Sequence, residues 1–179
     1  RRQCLILHAL PNTTVVPIRG NIARRLERLD EGNLDAIILA VAGLQRIGFE
    51  WRIRQIISVE DMLPAVGQGA IGVECLIKNE SVNHIIQPLN HLPTQLRLRA
   101  ERAGNKTLNG SCHLPVAFYS ELNGKQLHLQ GMVGMPDGTE ILFAEEFGLK
   151  TEPELVGTRL AQKLQDMGAD RILSYVKHS

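Results

Sequence analysis

Aromatic side chains are scarce in this 179-residue chain, at 4%: four Phe, two Tyr and one Trp. Proteins that grip nucleic acid by stacking bases need such rings, so this scarcity argues against that class. Lysine is also missing from a long stretch, the first being Lys78. A general nucleic-acid patch would mix lysine with arginine. Cysteine is limited to Cys4, Cys75 and Cys112, an odd and widely spaced set without metal-type spacing. That excludes a disulfide framework and points to a reducing compartment. No apolar run approaches a membrane span and no signal-peptide pattern opens the chain, so the expected address is the cytoplasm.

What the chain does have is arginine, unevenly spread. Residues 1–54 contain nine Arg and five acids, a local charge of +4, while the remainder carries −3 and the whole only +1. The planar guanidinium binds carboxylate or phosphate through two parallel hydrogen bonds, which a lysine cannot do. At 44% hydrophobic and 22% charged residues, the composition suits one or two globular domains with a substantial core. The opening Arg1-Arg2-Gln3-Cys4-Leu5 reads like the interior of a helix already under way. The chain is therefore expected to be the carboxy-terminal part of something longer.

Residues 13–18 read as a short strand closed by the turn Arg19-Gly20-Asn21. Residues 22–31 read as a helix through Ile22, Leu26 and Leu29, with Asn21 as N-cap. The continuous apolar run 36–41 reads as a strand buried on both faces. Such a strand–helix–strand unit crosses over right-handed and binds ligands beyond the carboxyl ends of its strands. Arg19 follows the first strand, Arg46 follows the second, and Arg25 lies one turn from Asn21, so several arginines gather around one crevice. Residues 63–69 read as a hinge leading into a strand at 70–75. Gly67, Gly69 and Gly72 match G-x-G-x-x-G, but a dinucleotide motif follows a strand and opens a helix, so that identification is rejected.

From about Pro93 the pattern changes. Residues 94–108 read as a helix with Leu96, Ala100, Ala103 and Thr107 on one face. Val116, Phe118, Ser120 and Leu122 alternate as a strand, Asn123-Gly124 signals a hairpin, and Leu127, Leu129, Val133, Ile141 and Phe143 continue the sheet. Thr151 with Glu154 suggests a capping box on a helix carrying Leu155, Leu160, Leu164 and Met167, stopped by Gly168. The expectation is a three-stranded antiparallel sheet with helices on one face. Between helix and sheet lies Asn109-Gly110-Ser111-Cys112-His113-Leu114-Pro115, a turn presenting a lone thiol. Gly110 permits an unusual backbone dihedral there, and Pro115 fixes the entry into the strand.

These residues resemble the porphobilinogen deaminase family, the hydroxymethylbilane synthases. The resemblance rests on Arg1-Arg2-Gln3, Ile18-Arg19-Gly20-Asn21 with Arg25, Leu39-Ala40-Val41-Ala42-Gly43-Leu44 with Arg46, the block 63–70, Ala100-Glu101-Arg102, and Gly110-Ser111-Cys112 with Pro115. The blocks fall in the family's order and span the chain. The resemblance implies an α/β fold: residues 1–65 as the later part of a periplasmic-binding-protein-like doubly wound domain, 66–89 as hinge and strand returning to a first domain, and 90–179 as a small α+β domain. The family's first domain, with its catalytic aspartate, has no counterpart here, so no catalytic residue is assigned and the isolated chain is expected to be inactive.

The resemblance further implies a dipyrromethane cofactor joined to Cys112 by a thioether. Porphobilinogen is then the substrate, added in four head-to-tail units with loss of ammonia. Arg1, Arg2, Arg19, Arg25 and Arg46 would contact cofactor carboxylates, the last three also those of the substrate. Gly67, Gln68 and Gly69 would form the hinge, and the protein would be a monomer without metal, nucleic acid or membrane partners. Ser111 stands where the family commonly has glycine. A thiolate is the soft nucleophile such chemistry needs.

Against these assignments, Arg24, Arg28, Arg52 and Arg54 read as solvated helix-face charges, and Cys4 and Cys75 as packing residues. The six histidines are scattered, and His113 points away from its neighbour Cys112 on an extended chain. Glu101 and Arg102 suggest an interdomain ion pair. A non-catalytic anion-binding α/β module remains the alternative, since it would use the same arginine crevice without an occupied thiol.

Overall fold

The computed structural model describes residues 1–110 and 114–178, so Cys112 lies outside the described residues. The architecture is mixed α/β. The ordered centre is one antiparallel sheet in the order β1–β2–β3: β1 (Val116–Asn123), β2 (Gln126–Gly134) and β3 (Ile141–Leu149). Alternation set the strands; the hairpin forms one residue later than expected, Asn123 ending β1 and Gly124-Lys125 making the loop, which pairs Asn123 with Gln126 and Val116 with Val133.

Period two then sends Val116, Phe118, Leu127, Leu129 and Val133 to one face, where all are buried. That face is covered by α5 (Leu92–Thr107) and α6 (Pro153–Asp166), as the sequence led us to expect, and by α7 (Ala169–His178), a further helix the sequence pattern had not shown. The Phe118 ring fills a slot between α5 and β2: side chains at Gly104 or Gly131 would sit within 3.0 Å of it. Helices α5 and α6 approach so closely that a Cβ on Gly157 would lie 2.2 Å from the Ala100 carbonyl oxygen. Of the expected stripe, Ala100 is buried and Ala103 faces Gly157 of α6; Glu101 and Gly104 complete the buried side, while Leu96 and Thr107 are only half-buried.

The expected capping box is not formed. Helix α6 starts with Glu152 as N-cap, without a side-chain cap, and Glu154 instead grips Arg99 of α5 through both carboxylate oxygens, at 2.5 and 3.0 Å. A two-point ion pair across helices outcompetes a local hydrogen bond to a backbone amide. Leu155 and Met167 face out, while Val156, Ala161 and Leu164 face in.

The first half consists of α1 (Arg2–Ala9), α2 (Ile22–Asp30), α3 (Val41–Arg46) and α4 (Glu80–Ile86), with single 3₁₀ turns at Glu50–Arg52 and Gln87–Leu89. Asn21 caps α2 as expected, its Oδ1 accepting from the Arg24 amide at 2.9 Å. The strands expected at 13–18, 36–41 and 70–75 are not formed. These segments carry no ladder among the described residues, and Val41 begins α3. A β pattern becomes a strand only when another strand takes up its N–H and C=O groups, and here none lies alongside. Residues 37–40 are only half-buried, and Ile71 and Val73 are exposed.

The two halves meet through α1. Cys4 is fully buried with Leu63 against Ala117 and Met132, on the sheet face opposite α5 and α6. His8 Nδ1 bonds the Gly138 carbonyl at 2.9 Å, fastening the same helix to the β2–β3 turn.

Gly157→Ala tests the α5–α6 crossing. Helix propensity alone would favour alanine by about 1 kcal/mol. A new Cβ against an immovable carbonyl costs about 1–3 kcal/mol. The expected result is a lowered melting temperature with an unchanged far-ultraviolet spectrum; a raised one would refute the close approach.

Candidate functional site

Four of the five candidate arginines are held by backbone carbonyls. Arg1 donates from Nη1 to the Leu63 carbonyl at 2.5 Å, and Arg2 from Nη1 to the Ile38 carbonyl at 2.7 Å. Arg25 Nε donates to Gly20 O and Arg46 Nη2 to Gly69 O, both at 2.8 Å. Arg19 is exposed and makes no side-chain hydrogen bond among the described residues. Not one of the five is paired with a carboxylate among the described residues. Other arginines are: Arg24 with Glu27 at 3.0 Å, Arg52 with Asp30 at 2.5 Å, Arg99 with Glu154 and Arg171 with Glu140. Arg52 is thus tied to α2, with its guanidinium 5.3 Å from the Trp51 ring, and is not a freely solvated charge.

Carbonyl bonds fix a guanidinium in place without neutralising it. Burial, and then the charge of Arg2, push the Arg1 side chain down to a pKa of about 10. Burial followed by the charge of Arg25 lowers Arg2 as well. Arg2 therefore lies close enough to both Arg1 and Arg25 to feel their charge, and Arg1 and Arg2 are partly desolvated. An arrangement of this kind favours an anion that can meet several cations at once.

The expected hinge is a glycine turn clasped by its neighbours. Gly67 and Gly69 take φ of +70° and +88°, backbone that glycine adopts at little cost. Gly67 N–H donates to Glu101 Oε2 at 2.9 Å, and the Gly69 carbonyl receives Arg46. Gln68 is exposed. A cleft of about 310 Å³ lies beside the turn, lined among others by Gln68, Thr94, Arg97 and Tyr119.

Glu101 is the residue the sequence reading misplaced. It makes no ion pair with Arg102 among the described residues; it is 4% exposed, and Oε1 accepts from the Ser120 amide at 3.1 Å and the Ser120 hydroxyl at 2.8 Å. Helical spacing puts it on the Gly104 side of α5, facing β1, while Arg102 points to solvent. The signal was present in Ser120, a polar residue at an inward strand position that needs a buried partner.

The approach to Cys112 is anchored to α5. The Gly110 amide donates to Asn105 O at 2.8 Å, and Asn105 Nδ2 donates to Gly110 O at 3.4 Å. The positive φ expected at Gly110 falls on Asn109 instead, at 49°. A Cβ at 110 would press on the Asn105 side-chain amide and displace the bond that amide makes to Gly110 O. Cys4 is buried and Cys75 donates to Asn83 Oδ1 at 2.9 Å, so both are committed to local packing.

Burial pushes the Glu101 carboxyl above its ordinary value of 4.5, the hydrogen bonds from Gly67 and Ser120 opposing this only in part. The folded state thus holds the proton more tightly than the unfolded one. Its stabilising contribution is complete below about pH 4.5 and declines as pH rises through the raised value. The stability difference between wild type and Glu101→Gln should shrink upward through that window in urea titrations. A difference independent of pH would refute the assignment.

Residues 1–84 match the family described as porphobilinogen deaminase, dipyromethane cofactor binding domain, and residues 95–166 match porphobilinogen deaminase, C-terminal domain. No helix among the described residues is long and apolar enough to cross a membrane. The arginine group falls in the first match and the sheet with its helices in the second. Together they cover most of the sequence, and the chain belongs to the porphobilinogen deaminase family, transferases of tetrapyrrole biosynthesis whose cofactor is dipyrromethane.

Proposed function

We propose that this chain supplies the carboxylate-binding and primer-bearing part of a hydroxymethylbilane synthase. The reaction joins four porphobilinogen molecules head to tail, each losing ammonia, and water releases the linear tetrapyrrole. The observation that carries this reading is the set of guanidinium groups bonded only to backbone carbonyls, with Arg2 feeling the charge of Arg25 and Arg1 that of Arg2. Pyrroles bearing acetate and propionate groups present several carboxylates on one small frame, which fits such a set.

Arg1, Arg2, Arg19, Arg25 and Arg46 hold cofactor carboxylates, and Arg19, Arg25 and Arg46 also orient the incoming substrate. Cys112 is the attachment point, its thiol forming the thioether. When bound, dipyrromethane supplies the pyrrole terminus onto which units are added. No residue of this chain is assigned proton transfer. The protein acts as a cytoplasmic monomer. Residues 1–65 form the cleft, 66–89 the crossing and 90–179 the cofactor-bearing domain.

Intact mass of the protein purified from its own cells, under reducing conditions, tests the covalent assignment. The expected result is an excess of two linked pyrrole units on the Cys112 peptide, and none in Cys112→Ser, which also abolishes product formation in the complete enzyme. An unmodified thiol would leave only an anion-binding module.

The cleft is tested separately by Arg19→Leu. This exposed change should weaken porphobilinogen binding while leaving the melting temperature within a few degrees, and added salt should weaken wild-type binding in parallel. Unchanged affinity would remove Arg19 from the site.

A further inference from the structure

The segment 63–69 is fastened at three points, and two of them are arginines of the anion site. At one end Leu63 is buried with Cys4, Ala117 and Met132, and its carbonyl accepts from Arg1. At the other end Gly69 accepts from Arg46 at 2.8 Å. Between them Gly67 donates to Glu101, whose second oxygen takes both the amide and the hydroxyl of Ser120 on β1. The turn contains two glycines at positive φ and borders an open cleft; its own backbone bonds, Gln68 N–H to Ala65 O and Ala70 N–H to Gly67 O, shape the turn but do not attach it to the sheet. Glu101 is the fastening that ties the middle of the turn to the sheet, between the two arginine bonds at its ends.

We propose that Glu101 is a positioning residue of the anion site: by fastening the 67–69 turn to β1, it sets where Arg46 presents its guanidinium relative to Arg1, and so the carboxylate spacing the site accepts. The proposal rests on the reading of the arginines as carboxylate-binding. A carboxylate is needed because both oxygens must accept. Glutamine offers one acceptor oxygen, and its amide group would face a donor on the other side. Arg97 strengthens the arrangement, its Nε donating to Ser120 O while its guanidinium lies 5.2 Å from the Tyr119 ring.

The test is a double-mutant cycle on the full chain, with porphobilinogen as the probe in titration calorimetry and thermal melts recorded alongside. Glu101→Gln should weaken binding roughly tenfold, the scale of one lost charge-assisted hydrogen bond. In an Arg46→Ala background it should weaken binding no further, because its effect passes through that guanidinium. Ser120→Ala, which removes one donor and keeps the fold, should give a smaller loss with the same dependence on Arg46, and carries the cycle if Glu101→Gln does not fold. Equal losses in both backgrounds, or no loss, would make Glu101 purely structural and overturn the proposal. Wild-type affinity in Arg46→Ala would instead overturn the carboxylate-binding reading of that arginine, and the proposal with it.

Discussion

Beside the apolar contact through α1, a buried carboxylate joins the two halves of this chain by hydrogen bonds. Glu101 accepts from the glycine turn on one oxygen and from β1 on the other, and these partners lie 34 and 19 residues away in sequence. Burying a charged group is expensive unless each lone pair it presents is met, and here three donors meet it. Remove the carboxylate and the Gly67 amide and the Ser120 hydroxyl lose their acceptor together. The turn, the strand and α5 are consequently interdependent, and the arginines bonded to the ends of that turn inherit the dependence.

The arginines follow a different physical logic. Arg24, Arg52 and Arg99 have carboxylate partners, so their charge is spent within the protein. Arg1, Arg2, Arg25 and Arg46 are held by carbonyl groups, which orient a cation while leaving it electrically unsatisfied. Burial together with the charge of a neighbouring arginine makes Arg1 and Arg2 costly to keep charged in the folded chain, a cost that a bound anion would relieve. Stability and binding are thus opposed in this region, a common trade at functional sites.

The distinction was partly visible in the sequence. Arg24 has Glu27 three residues on, the spacing of a helical ion pair, whereas Arg25 has Arg28 three residues on and Asn21 and Leu29 four away on either side, none of them acidic. The antiparallel sheet was legible because alternation and the Asn123-Gly124 turn are local signals that agree. The strands expected at 13–18, 36–41 and 70–75 failed because strand formation depends on a partner, which no local pattern can guarantee. The Thr151–Glu154 capping box failed for a related reason: Arg99, more than fifty residues earlier, offered Glu154 a better bond. Glu101 was misread because a glutamate followed by arginine on a helix looks solvent-facing until Ala100 and Gly104 are seen to mark the inward side.

Helix α5 acts as a ruler. Glu101 holds the arginine strap, and Asn105, one helical turn later, holds Gly110 on the approach to the thiol. A helix fixes such a separation at about 6 Å, with little give along its axis. Positional error at the two attachment points is therefore shared: a displacement of α5 carries the strap and the thiol approach together, and their relative registration survives motions that would misalign two independently mounted loops.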